Sequence, residues 1–177
     1  MNIFDAISKR ATYRGPYKNM KIPREDLGKI VQAAIDAPSG CNAQTTSFII
    51  VDDEKMMKDL SEIMPKGGMD TATAAIVVLA DKTPAYDDVS FYKEDYSAAV
   101  QNIYLAATAL GYATCWLDGV LRGDNVNTKI SNLLSVPEDI LTCVLLPIGV
   151  PEKEVKLKPK KPFSQRASYN KYTIESE

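Results

Sequence analysis

Asp95-Tyr96-Ser97-Ala98-Ala99-Val100-Gln101-Asn102-Ile103-Tyr104-Leu105-Ala106-Ala107-Thr108-Ala109-Leu110-Gly111 is the stretch on which the fold turns. It is almost all Ala, Val, Ile, Tyr and Leu, and Gly111 stands where a helix would stop. A helix apolar over most of its circumference has to be covered from more than one side, so this one is expected at the centre of the molecule. A second copy of the chain is one way to supply the cover.

Toward the N-terminus, Ala75-Ile76-Val77-Val78-Leu79 and Phe48-Ile49-Ile50-Val51 are short β-branched runs bounded by polar or turn residues and read as buried strands. Met56, Leu60 and Ile63 mark a helix between them, ended by Pro65-Lys66-Gly67-Gly68. Pro23 opens a helix with Leu27, Ile30, Val31 and Ala34 at i, i+3, i+4, i+7, and Ile3, Ala6 and Ile7 give a short one over Asn2–Lys9. Toward the C-terminus, Ala113–Leu117 reads as a third strand, Val126, Ile130, Leu133 and Leu134 as a helix, and Leu141–Ile148 as a fourth strand. The alternation fits a doubly wound parallel sheet. No Gly-rich turn follows the first strand, however, and helices precede it, so a mixed α+β sheet fits equally.

The chain has 177 residues, enough for one substantial core, so a single domain over 1–177 is expected. The segment 151–177 differs in character: seven Lys or Arg are interspersed with Pro151, Pro159 and Pro162, and Phe163, Tyr169 and Tyr172 offer apolar anchors. It reads as an extended arm lying over another surface. With 21 Lys plus Arg against 23 Asp plus Glu, the net charge is -2, which gives no global field for nucleic acid or an anionic membrane. Any anion site must be local. No signal-peptide pattern and no membrane-length apolar run are present, so a cytoplasmic location is expected. Cys41, Cys115 and Cys143 are odd in number and widely spaced, and read as free thiols. The chain contains no histidine, which excludes His-dependent triads, His-rich zinc sites and imidazole acid–base chemistry. A cofactor that brings its own reactivity is the economical alternative.

Four segments carry chemistry. In Arg10-Ala11-Thr12-Tyr13-Arg14, an extended backbone would put Arg10, Thr12 and Arg14 on one face, where fork-shaped donors suit a phosphate or a developing anion; a solvated charged turn is the alternative. In Pro38-Ser39-Gly40-Cys41-Asn42-Ala43-Gln44, small residues let a planar ligand approach the backbone, and Asn42 and Gln44 offer amide donors and acceptors; the alternative is a plain helix-ending loop. Cys115-Trp116-Leu117-Asp118-Gly119 lies at a strand end, where backbone N–H groups can meet a ring nitrogen; alone, Trp116 reads as core and Asp118 as surface. In Lys156-Leu157-Lys158-Pro159-Lys160-Lys161-Pro162, proline stiffening presets Lys158 and Lys160 for a phosphate, against a solvated lysine face.

In their order and spacing these segments resemble the FMN-dependent nitroreductase family from Ile3 to about Pro162. The resemblance implies an α+β fold with a mixed sheet flanked by helices, an intertwined homodimer with FMN at the interface, and a C-terminal arm over the partner. By position, Arg10 and Thr12 correspond to phosphate and ribityl contacts, Arg14 to the cation beside the flavin pyrimidine edge, and Lys158 and Lys160 to the second half of a phosphate clamp. Pro38, Ser39, Gly40 and Asn42 would come from the opposite subunit. Trp116, Leu117, Asp118 and Gly119 would back the ring, with a backbone N–H near Asp118 directed at N5. A cation such as Arg14 would stabilise the negative charge that reduction leaves near N1 and O2, so no protein acid or base is needed.

Two departures stand out: Thr45 and Thr46 follow Gln44 where Pro-Trp is common in the family, and Lys160 stands where Arg is common. The implied activity is ping-pong electron transfer from NADH or NADPH to nitroaromatics, quinones or free flavin. Reductive dehalogenation, flavin-ring cleavage and a non-catalytic flavin- or anion-binding module are the alternatives.

Overall fold

The computed structural model describes residues 1–174. The helices are α1 (Ile3–Lys9), α2 (Arg24–Ile35), α3 (Glu54–Ile63), α4 (Tyr92–Ala109) and α5 (Val126–Leu133). The strands are β1 (Thr46–Val51), β2 (Ala74–Ala80), β3 (Ala113–Thr114) and β4 (Leu141–Gly149). The sheet order is β1-β2-β4-β3, and each adjacent pair is antiparallel. The α+β reading therefore holds over the doubly wound alternative. Parallel pairing is confined, among the described residues, to an isolated bridge between Thr12 and Thr114.

Strand periodicity sorts the core into two layers. Ala74, Ile76, Val78 and Ala80 of β2, with Val144, Leu146 and Ile148 of β4, face α2 and α4. Ala75, Val77 and Leu79, with Leu145, face Met57 and Leu60 of α3 and Ile130 of α5. All seven β2 residues are buried, which explains why that strand reads as an unbroken apolar run. A register shift between Val78 and Leu79 leaves Cys143 as the extra residue of a bulge, which bends β4 against β2.

Local signals set the helix ends. The Asn2 side chain accepts from the Asp5 N–H (2.9 Å) at α1, and Asp53 accepts from the Met56 N–H (2.9 Å) at α3. Gly111 takes φ +87°, so the Tyr112 N–H reaches the Ala107 carbonyl (2.8 Å) and the Gly111 N–H the Thr108 carbonyl (3.1 Å), closing α4. Within one chain α4 is buried on one face only, through Tyr96, Ala99, Val100, Ile103, Tyr104 and Ala107, while Ala98, Leu105 and Ala106 remain half-buried.

The third strand is shorter than the sequence predicts. After Thr114 the ladder is interrupted because the Trp116 N–H donates to the Tyr104 hydroxyl (2.6 Å) rather than to β4. Pairing resumes at Leu117, whose N–H and C=O both bond Leu145 (3.1 and 2.9 Å). The segment before the site is pinned to the same edge: the Tyr13 N–H donates to the Thr114 carbonyl (2.9 Å). The start of the arm is pinned in turn, by Lys18 N–H to Val150 O (2.9 Å), Glu152 N–H to Pro16 O (3.1 Å) and Lys153 N–H to the Tyr13 hydroxyl (3.2 Å).

Candidate active site

The alternation read in residues 10–14 holds around Tyr13, whereas Ala11 lines the same cleft as Arg10 and Thr12. Tyr13 is buried, packs edge-to-face on Tyr17 (ring centroids 5.2 Å apart), and donates its hydroxyl to the Pro16 carbonyl (2.6 Å). Its neighbours Thr12 and Arg14 turn the other way, into a cleft of about 430 Å³. Arg10, Thr12, Arg14, Lys156, Lys158 and Lys160 line that cleft, so the two ends of the chain meet there. Among the described residues, no carboxylate forms an ion pair with Arg10, Arg14, Lys158 or Lys160. The Arg10 guanidinium instead lies 5.2 Å from the Tyr104 ring centroid. Cations gathered in one cleft without paired carboxylates suit an anion from outside. The donor set fits a phosphate monoester.

The strand-end segment adjoins the cleft. Burial raises the Cys115 thiol above its ordinary range, and the nearby Arg14 charge partly offsets the rise. The Trp116 and Leu117 N–H groups are consumed inside the protein, as described above, whereas the Asp118 N–H has no acceptor among the described residues. The Asp118 carboxylate is held by Arg122 (3.2 Å), and Gly119 begins a short 3-10 turn to Arg122.

Pro38, Ser39, Gly40 and Asn42 are not brought to the basic cleft within one chain. Pro38 and Ser39 line a smaller hollow of about 130 Å³ beside α2 and α4. Their loop is strained: Cys41, Asn42 and Gln44 all have φ between 51° and 55°. Asp95, which the sequence reading did not assign to the site, and Thr45, noted there only as a departure from the family pattern, hold it. The buried Asp95 carboxylate accepts from the Gly40 N–H (2.8 Å) with one oxygen and from the Thr45 hydroxyl (2.7 Å) with the other. Thr45, which stands where Pro is common in the family, thus anchors the loop. Asp95 was legible as a carboxylate on the apolar stripe it shares with Ala99 and Ile103. A Cβ at Gly40 would overlap the Phe91 ring, so a larger residue there would have to displace Phe91 or the loop.

Asp95→Ala is expected to lower stability by about 1–3 kcal/mol, since it leaves the Gly40 N–H and Thr45 hydroxyl without acceptors. Urea unfolding checks this; an unchanged midpoint would show that Asp95 does not hold the loop.

The thiols are free. Burial pushes Cys143 up to about 11. Cys41 is exposed on the strained loop and fills no space in the core of this chain.

A profile of the Nitroreductase family matches residues 7–68 and 64–150. A protein of Archaeoglobus fulgidus, provisionally named an NADH dehydrogenase/NAD(P)H nitroreductase, is 39% identical over 139 residues, 78% of this chain and 79% of its own. An FMN reductase [NAD(P)H] of Bacillus subtilis is 27% identical over 165 residues, 82% of this chain and 65% of its own. Among solved structures, an FMN-dependent nitroreductase of Clostridium difficile superposes with a TM-score of 0.80 at 28% identity, over 96% of this chain and 99% of that one. The chain belongs to the nitroreductase family. The expected enzyme class, an FMN-dependent NAD(P)H oxidoreductase, agrees with that membership.

Proposed function

We propose that the basic cleft seats the phosphate of FMN and that the chain passes electrons from NADH or NADPH to small electron-poor acceptors such as nitroaromatics, quinones or free flavin. One observation carries this reading: Arg10, Arg14, Lys158 and Lys160, from opposite ends of the chain, line one cleft with no carboxylate paired to them among the described residues. When bound, FMN supplies the redox chemistry, accepting two electrons from the nicotinamide and giving them up to the acceptor after the nicotinamide has left.

The residues of the chain bind and orient. Arg10, Lys158 and Lys160 offset the phosphate charge, and Thr12 offers a hydroxyl beside them. Arg14, between the cleft and Cys115, stabilises negative charge at the pyrimidine edge of the ring. The Asp118 N–H, left without an internal acceptor, is the donor assigned to the ring, and Trp116, Leu117 and Gly119 form the backing around it.

Pro38, Ser39, Gly40 and Asn42 reach the ring from a second subunit. A homodimer is supported by α1, whose Ile3, Phe4 and Ile7 are 56%, 79% and 50% exposed, by the half-buried face of α4, and by the exposed Phe163, Tyr169 and Tyr172 of the arm. Among the described residues no helix is long and apolar enough to cross a membrane.

The purified protein is expected to be yellow with FMN and to bleach when NADH or NADPH is added anaerobically. Colour should return on addition of a quinone or nitroaromatic. Protein that takes up no FMN, or that stays yellow with both nicotinamides, would sink the proposal.

A further inference from the structure

Tyr104 of the central helix touches two residues that line the cleft, Thr12 and Arg10. Tyr104 of α4 is 2% exposed, yet its hydroxyl sits between two segments far apart in sequence. The Trp116 N–H donates to it at 2.6 Å, and the Thr12 hydroxyl lies 3.5 Å away. Its ring carries the Arg10 guanidinium at 5.2 Å. Either hydroxyl can donate across the 3.5 Å between them, and the direction that leaves the Tyr104 oxygen a single incoming donor is the one in which its own proton goes to Thr12 Oγ1. Thr12 then accepts, so its own proton is free to point elsewhere, and Thr12 lines the basic cleft.

We infer that Tyr104 is a positioning residue that turns the Thr12 hydroxyl into a donor to the FMN phosphate, through a directed chain running from the Trp116 N–H to the Tyr104 hydroxyl to the Thr12 hydroxyl. The inference rests on the reading of the cleft as a phosphate seat. Successive bonds in such a chain polarise one another, and the chain ends on a proton aimed at an anion. Burial raises the Tyr104 hydroxyl above its ordinary range, which keeps it a donor through neutral pH. The same side chain ties Arg10, Thr12 and the strand-end segment to α4, so the phosphate contacts and the ring-backing segment share one reference point.

The experiment titrates apo-protein with FMN and with riboflavin, which lacks the phosphate, for the unchanged chain, Tyr104→Phe, Thr12→Val and the double variant. Tyr104→Phe keeps the ring beneath Arg10 and removes only the hydroxyl. Each single variant is expected to weaken FMN about tenfold and riboflavin less than about twofold, and the double variant is expected to be no weaker than about tenfold, because both cut one chain. Thr12→Ser, which keeps the hydroxyl, is expected to retain FMN affinity and keeps the question open to test if Tyr104→Phe fails to fold. Additive losses, equal losses for both flavins, or a Thr12→Ser variant as weak as Thr12→Val would overturn the inference. Failure of the unchanged chain to bind FMN would instead overturn the phosphate reading beneath it.

Discussion

Lys158→Ala with Lys160→Ala is expected to weaken FMN binding about 100-fold, roughly tenfold for each charge-assisted contact removed. Both lysines lie on the arm, whose start is clasped by Tyr13, Pro16 and Lys18. Pro159 between them limits their freedom before the ligand arrives, so little ordering entropy offsets the attraction. The contacts are solvent-facing, so affinity in the unchanged chain should fall with added salt and the double variant should be less salt-sensitive. Fluorescence titration at two ionic strengths reads both effects. Equal affinity for FMN in the two proteins would mean that the arm does not clamp phosphate.

Arg14→Ala is expected to act on rate more than on retention. A cation placed where charge develops is worth about 3 kcal/mol, or roughly a 100-fold slower reduction of bound FMN by NADH or NADPH. FMN retention should fall much less, because Arg10, Lys158 and Lys160 remain in the cleft. Stopped-flow bleaching under anaerobic conditions measures the first quantity and FMN titration the second. Unchanged bleaching with weakened FMN binding would reassign Arg14 to the phosphate.

The histidine-free composition places a limit on these experiments that helps their interpretation. With no imidazole to titrate, a pH-dependence near neutrality in flavin reduction would have to come from the cofactor, the nicotinamide or a perturbed side chain. Cys115 and Cys143 are both raised by burial, so neither thiol supplies a neutral-pH transition.

Much of the fold and part of the site were legible in the amino-acid order alone. The 3.6-residue spacing of Leu27, Ile30, Val31 and Ala34 required an amphipathic helix, and the β-branched runs required strands, because each depends on which side chains share a face. Gly111 marked the end of α4 through its access to positive φ. The alternation of Arg10, Thr12 and Arg14 about Tyr13 is likewise a local property of extended backbone, as is the absence of histidine a property of composition.

Tertiary structure decided the rest. Antiparallel pairing of β1 with β2 and of β2 with β4 is set by how α2 and α4 on one face, and α3 and α5 on the other, cover the sheet, which no single segment encodes. The break after Thr114 comes from Tyr104, an acceptor on another element that takes the Trp116 N–H. Asp95 reads locally as an oddity on an apolar helix and becomes an anchor only when folding brings Gly40 and Thr45, 55 and 50 residues away in sequence, to its two oxygens. The lysines of the arm and the arginines near the first helix are joined by hydrogen bonds from Lys153 to Tyr13 and from Glu152 to Pro16. Residue types and local periodicity determine which groups are available. Which of them meet is determined by long-range packing, whose partners lie too far apart along the chain for any spacing rule to pair.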